Sequence, residues 1–143
     1  LNVAAHYHTT GPEIWRQTGG NLDYFFASIG TGGTISGVGR CLKEMNPAIK
    51  IIGVEPANRQ HHLSGLKRIT GLPDEYFPAI LDKELLDDVI SVTDEDAYRA
   101  GIKLARTEGA MVGPTTGAVL HAAIETGASK DGRAVLISAD SAT

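Results

Sequence analysis

Residues Gly30-Thr31-Gly32-Gly33-Thr34-Ile35-Ser36-Gly37 follow directly on the apolar run 24–29, and no other stretch limits the fold of this chain as tightly. A strand that ends in glycines and hydroxyls and turns straight into a helix aims several unpaired backbone N–H groups at one point, which is how proteins hold phosphate. Glycine is needed there because the backbone must take φ values closed to other residues and approach the anion with no Cβ in the way. Thr31 and Thr34 add hydroxyl donors. Beyond the loop, Ile35, Val38 and Leu42 recur at offsets of three and four, one face of a helix. The pattern predicts a helix over 34–45 and a phosphorylated small molecule as ligand. An ordinary strand-to-helix turn, its glycines serving only close packing, would show the same residues, so the choice falls to the rest of the chain.

At 143 residues and 42 % hydrophobic side chains, the chain suits one domain with an ordinary core, and a single α/β domain is expected over 1–143. A formal net charge of -4, with 13 Lys and Arg scattered along the chain, provides no basic stripe for nucleic acid and no polybasic patch for a membrane surface. No apolar run approaches the length of a membrane span, and the first residues lack the pattern of a signal peptide. The single cysteine, Cys41, cannot close an internal disulfide, which suits a reducing compartment, and it reads as buried packing rather than as a nucleophile. A cytoplasmic location is expected. Because the chain opens at Leu1 and stops at Ser141-Ala142-Thr143 soon after a strand-like run, it is expected to be part of a longer polypeptide, truncated at both ends.

Four β-branched or aromatic runs read as strands, at 24–29, 49–54, 88–92 and 133–139; the last three are nearly continuous in hydrophobicity, as in buried parallel strands. Helical patterns lie between them. One covers 12–18, with Pro12 early, where a missing N–H costs nothing. Another covers 97–108, with Thr93 accepting from the backbone and Asp96 reaching back to cap its start, and Gly109 closing it. A fourth covers 116–126, with Val119, Leu120, Ala123 and Ile124 as its apolar side. Strands alternating with helices imply a three-layer α/β sandwich: a mostly parallel sheet of about four strands with helices on both faces. The long irregular stretch 56–87 is expected to border a site.

Several groups of chemically capable residues have plainer explanations. His6 with His8, and His61 beside His62, do not share a helix face, and no Cys or carboxylate pattern completes a metal set, so these read as surface or loop histidines. No nucleophile elbow or Ser/His/Asp arrangement is evident. In Gly113-Pro114-Thr115-Thr116-Gly117, Thr115 or Thr116 is most simply a helix N-cap.

Taken together, Thr9-Thr10-Gly11-Pro12-Glu13-Ile14-Trp15, the 30–40 loop and helix start, Ile51-Ile52-Gly53-Val54-Glu55-Pro56 and the 113–118 stretch resemble, in order, the cysteine synthase (O-acetylserine sulfhydrylase) family of fold-type II pyridoxal-phosphate enzymes. Segment 56–87, with Gly65-Leu66-Lys67-Arg68 and Glu75-Tyr76-Phe77-Pro78, looks more like the B-type members. The resemblance implies that Gly30, Thr31, Gly32, Gly33 and Thr34 hold the phosphate of pyridoxal 5'-phosphate. It places Thr115 opposite the pyridine nitrogen, where a neutral hydroxyl does not keep a ring proton as a carboxylate would and so favours β-elimination over transamination. The implied reaction eliminates acetate, or another leaving group, from an activated serine and adds sulfide to make cysteine, in a homodimeric parent. Lys67 or Arg68 could face the mouth of the site, exposed charge being the plainer reading.

The chain departs from that family in lacking the Schiff-base lysine in its Ser-x-Lys-Asp-Arg context and the Thr-Ser-Gly-Asn-Thr-Gly loop. It therefore supplies no catalytic lysine, and alone it should hold the phosphate side of a site without turnover. Pro114-Thr115-Thr116 also stand where the family commonly has a small aliphatic residue and two serines. Two rivals remain. One is a nicotinamide-dinucleotide-binding half of an oxidoreductase, with Glu55 closing the next strand as ribose recognition requires, though Ile35 occupies the position of the third glycine. The other is a non-catalytic assembly or regulatory module.

Overall fold

The computed structural model describes residues 2–30, 32–63, 65–76, 78, 81–128 and 132–138. Four strands, β1 (Tyr24–Ser28), β2 (Lys50–Pro56), β3 (Asp88–Val92) and β4 (Ala134–Leu136), form one sheet in the order β3-β2-β1-β4. Every pairing is parallel, with Phe25 opposite Ile51 and Val135, and Ile52 opposite Asp88. All four strands therefore present their carboxyl ends at one edge of the sheet.

Side chains alternate across the sheet, and each face carries its own core. Phe25, Ala27 and Ile51 pack with Ile35, Val38 and Leu42 of α3 (Gly33–Met45) and with Ile14 of α2 (Gly11–Thr18). Phe26, Ile52 and Val54 pack on the other side with Ala97 of α4 (Asp94–Glu108) and with Ala118, Val119, Ala122 and Ala123 of α5 (Pro114–Glu125). This is the expected three-layer sandwich. Among the described residues no helix is long and apolar enough to cross a membrane.

Residues 2–10 depart from the sequence expectation. They form a short helix α1 (Asn2–Ala5) and a π-helical turn (His6–Thr10) running straight into α2, where sequence periodicity indicated a helix only over 12–18. The composition of His, Tyr and Thr carries little helix preference. Packing against α3 supplies the order, for the backbone comes so close at Gly37 that a Cβ there would lie 2.8 Å from the Cβ of His6 and 3.0 Å from the backbone N of Tyr7.

Helix ends show what residue chemistry can and cannot specify. Thr93 caps α4 as expected, its hydroxyl accepting from the Asp96 N–H at 3.1 Å. The reciprocal bond is replaced, because the Asp96 carboxylate lies 3.6 Å from both Arg99 and His121. Neither threonine caps α5. Gly113 is its N-cap, Pro114 its first residue, and Thr115 and Thr116 lie inside the first turn, because proline's fixed φ already starts the helix. The buried face of α5 is also rotated from expectation: Ala118 and Ala122 are fully buried, whereas Leu120 is half-buried and Ile124 is 46 % exposed. Small residues admit α4 closely enough that the Ala97 carbonyl meets Gly117.

Candidate anion-binding site at the sheet's carboxyl edge

The chain leaves β1 and turns into α3 through Gly32, which caps the helix with φ +94° and ψ -2° and without help from a side chain. An L side chain is strained at such a φ, and the space is closed as well, since a Cβ at Gly32 would lie 2.7 Å from the Cβ of Leu81. The first intrahelical bond runs from Ser36 N to Gly32 O at 3.0 Å. The N–H groups of Gly33, Thr34 and Ile35 precede it and have no acceptor within the helix. They sit at the positive end of a 13-residue helix dipole. Thr34 is half-buried, with its Oγ1 3.3 Å from Nε2 of His6. His6 is thus a partnered residue rather than the surface histidine its spacing suggested. Thr31, the remaining member of the expected set, lies outside the described residues.

The 56–87 stretch walls this loop, as expected of a segment bordering a site. A Cβ at Gly30 would lie 2.6 Å from the carbonyl oxygen of Gly65, Lys67 N donates to Ile29 O at 2.8 Å, and Asp82 N donates to Ser36 Oγ at 3.0 Å. Glu55 anchors the wall. Its side chain is fully buried; Oε2 accepts from the backbone N–H groups of Ile69 at 2.8 Å and Thr70 at 3.0 Å, and Oε1 accepts from Ser91 Oγ at 2.9 Å and from the Thr70 hydroxyl. Arg68 completes the set at 3.4 Å, so its guanidinium turns to Glu55 and not to the mouth of the loop. Burial alone would push the Glu55 carboxyl up, but the hydrogen bonds from Thr70, Ile69 and Ser91 outweigh it and hold the group below the usual carboxylate range.

That placement counts against dinucleotide binding. A carboxylate whose oxygens are committed to Thr70, Ile69, Ser91 and Arg68 cannot also receive ribose hydroxyls, and Ile35 is fully buried where the fingerprint needs glycine.

Thr115 and Thr116, at the start of α5, are 4 % and 6 % exposed. Thr116 Oγ1 lies 3.2 Å from Ser138 Oγ, just past the end of β4. Strand β4 pairs with β1, so the α5 start and the α3 start flank the carboxyl ends of two adjacent strands. The chain departs from β1 through α3 to β2 on one side, and arrives at β4 through α5 on the other. This reversal lies at the edge where α/β proteins bind ligands. Sequence reasoning missed Ser138, visible only as the polar end of an apolar strand, and missed His6 and the anchoring role of Glu55. Cys41 is buried as expected, and burial pushes its thiol up, away from nucleophilic character.

The chain is similar to known proteins in sequence and in fold. The chain is 44 % identical over 121 residues to cysteine synthase B of Pseudomonas aeruginosa and 47 % identical over 124 residues to the cysteine synthase of Aquifex aeolicus, covering 85 % and 87 % of its own length. It spans only 39 % and 37 % of those relatives. The crystal structure of a hydrogen sulfide-producing enzyme from Fusobacterium nucleatum superposes with a TM-score of 0.88 at 34 % identity, over 98 % of this chain and 49 % of that one. A family model described as "Pyridoxal-phosphate dependent enzyme" matches residues 1–140, and the chain accordingly belongs to the pyridoxal-phosphate-dependent enzyme family.

Proposed function

We propose that this chain forms the phosphate and pyridine-ring side of the active site of a cysteine synthase, which replaces the β-substituent of O-acetylserine, or a related activated serine, with sulfide. The observation that carries the reading is the uncapped α3 start beneath the Gly30–Thr34 loop. It gathers N–H donors and the Thr34 hydroxyl on a loop whose own residues carry no carboxylate and whose glycines let Leu81 and the Gly65 carbonyl pack closely against the backbone. Such a donor set fits a dianionic phosphate ester.

When bound, pyridoxal 5'-phosphate supplies an electron sink for bond breaking at the substrate amino acid. The residues of this chain hold and orient it. Gly30, Thr31, Gly32, Gly33 and Thr34 would take the phosphate, and Thr115 would serve the ring nitrogen, its neutral hydroxyl leaving that nitrogen without a fixed proton. We assign residues 1–143 to one α/β domain, the large C-terminal domain of the parent enzyme. That parent acts in the cytoplasm as a homodimer on small-molecule substrates; the free, buried Cys41 is consistent with a reducing compartment.

Titration with pyridoxal 5'-phosphate and, separately, with NADH tests the reading. Saturable uptake of the former, abolished by Gly32→Asp and weakened by Thr34→Ala, is the expected result. Saturable NADH binding would return the oxidoreductase half, and binding of neither would leave an assembly module.

A further inference from the structure

Thr34 Oγ1 has a neighbour whose proton decides what the hydroxyl can do. Nε2 of His6 lies 3.3 Å from it, and Nδ1 of the same ring lies 2.9 Å from Oγ1 of Thr10. The imidazole is therefore held at both nitrogens, on a π-helical turn, a local geometry that recurs at functional sites. The close approach at Gly37, described above, brings the turn within reach of the loop.

A hydroxyl has one hydrogen. If Nε2 accepts it, Thr34 turns only lone pairs toward the cradle and repels an anion. If Nε2 carries a hydrogen and donates it to Thr34 Oγ1, the hydroxyl hydrogen is free for a phosphate oxygen, and the Thr10 hydroxyl donates to Nδ1. We propose that His6 is a positioning residue for the phosphate site, in the Nε2–H tautomer with Thr10 donating to Nδ1, so that Thr34 keeps its hydrogen for the ligand. The inference rests on the reading of the Gly30–Thr34 loop as the phosphate cradle.

The test compares pyridoxal 5'-phosphate with pyridoxal, which lacks the phosphate, on the full-length protein. His6→Leu should weaken binding of the phosphate ester roughly tenfold, the contribution of one hydrogen bond to a charged group, and leave pyridoxal binding unchanged. His6→Gln, whose terminal amide can still donate to Thr34, should restore most of the difference. ¹⁵N NMR of the unsubstituted protein should show His6 protonated at Nε2, a readout that holds even where His6→Leu fails to fold. Equal changes for both ligands, no change for either, or a hydrogen only on Nδ1 would overturn the inference while leaving the cradle in place. An unsubstituted protein that takes up no pyridoxal 5'-phosphate would overturn both.

Discussion

Replacing Glu55 should loosen the wall of the candidate site before it unfolds the sheet. Five donors converge on this one carboxylate: the Ile69 and Thr70 backbone N–H groups, the Thr70 and Ser91 hydroxyls, and Arg68. In Glu55→Gln the amide oxygen can keep the two backbone donors, and the two hydroxyls can turn to accept from the new NH₂. Arg68 alone is left facing a donor. The expected cost is that of one hydrogen bond to a charged group, about 1.5–3 kcal/mol. Glu55→Ala leaves every donor without its acceptor, including the N–H of the buried Ile69, and should cost about 3–5 kcal/mol, a large share of a stability of about 5–15 kcal/mol. Urea denaturation measures the total, and amide exchange at Ile69 and Thr70 locates it. The effect is pH-dependent with a defined sign. The folded carboxyl titrates below its unfolded value of about 4.3, so its stabilisation is fully present above that pH and is lost as pH falls through it toward the folded value. The gap between wild type and Glu55→Gln should be constant near neutrality and shrink in acid. A midpoint unmoved by Glu55→Gln, with unchanged exchange at Ile69 and Thr70, would refute this account of the wall.

Asp87 accepts from Ile51 N at 2.7 Å and pairs with Lys43 at 2.8 Å; burial pushes its carboxyl up, and these partners more than offset it. Asp87→Asn should cost about 1 kcal/mol near neutral pH and flatten the acid limb of the stability curve in the same direction as Glu55→Gln. Thr93→Ala removes the only side-chain cap of α4 and should lower stability by about 1 kcal/mol, seen as a lower melting temperature with unchanged cofactor uptake. In the full-length enzyme, Thr115→Asp should hold a proton on the ring nitrogen, shift the cofactor absorbance and depress cysteine formation; unchanged turnover with an unchanged spectrum would remove Thr115 from the ring.

Much of this molecule is legible from residue order. The continuous apolar run ending at Pro56 marks β2 because both faces of a central parallel strand are buried, and the Gly30–Thr34 loop reads as a candidate anion site because few other sequences leave so many donors unpaired. Caps read from chemistry alone fare less well. Thr93 behaves as its type predicts, yet Thr115 and Thr116 do not, since Pro114 starts α5 ahead of them. The rotated face of α5 was hidden because Ala118 and Ala122 carry a weak hydrophobic signal, although they are the residues small enough to meet the sheet.

The local pattern of glycines, hydroxyls and apolar spacing by itself determined the α/β class, the parallel strands and the position of the candidate anion-binding loop, because those features arise between neighbours along the chain. Only the tertiary structure decided that the 2–10 segment is helical and brings His6 to Thr34, that Glu55 faces inward to anchor residues 68–70, and that Thr116 meets Ser138. Each of these joins residues far apart in sequence, and their contact depends on how closely elements can approach; for the 2–10 segment that distance is set at Gly37 by the absence of a side chain.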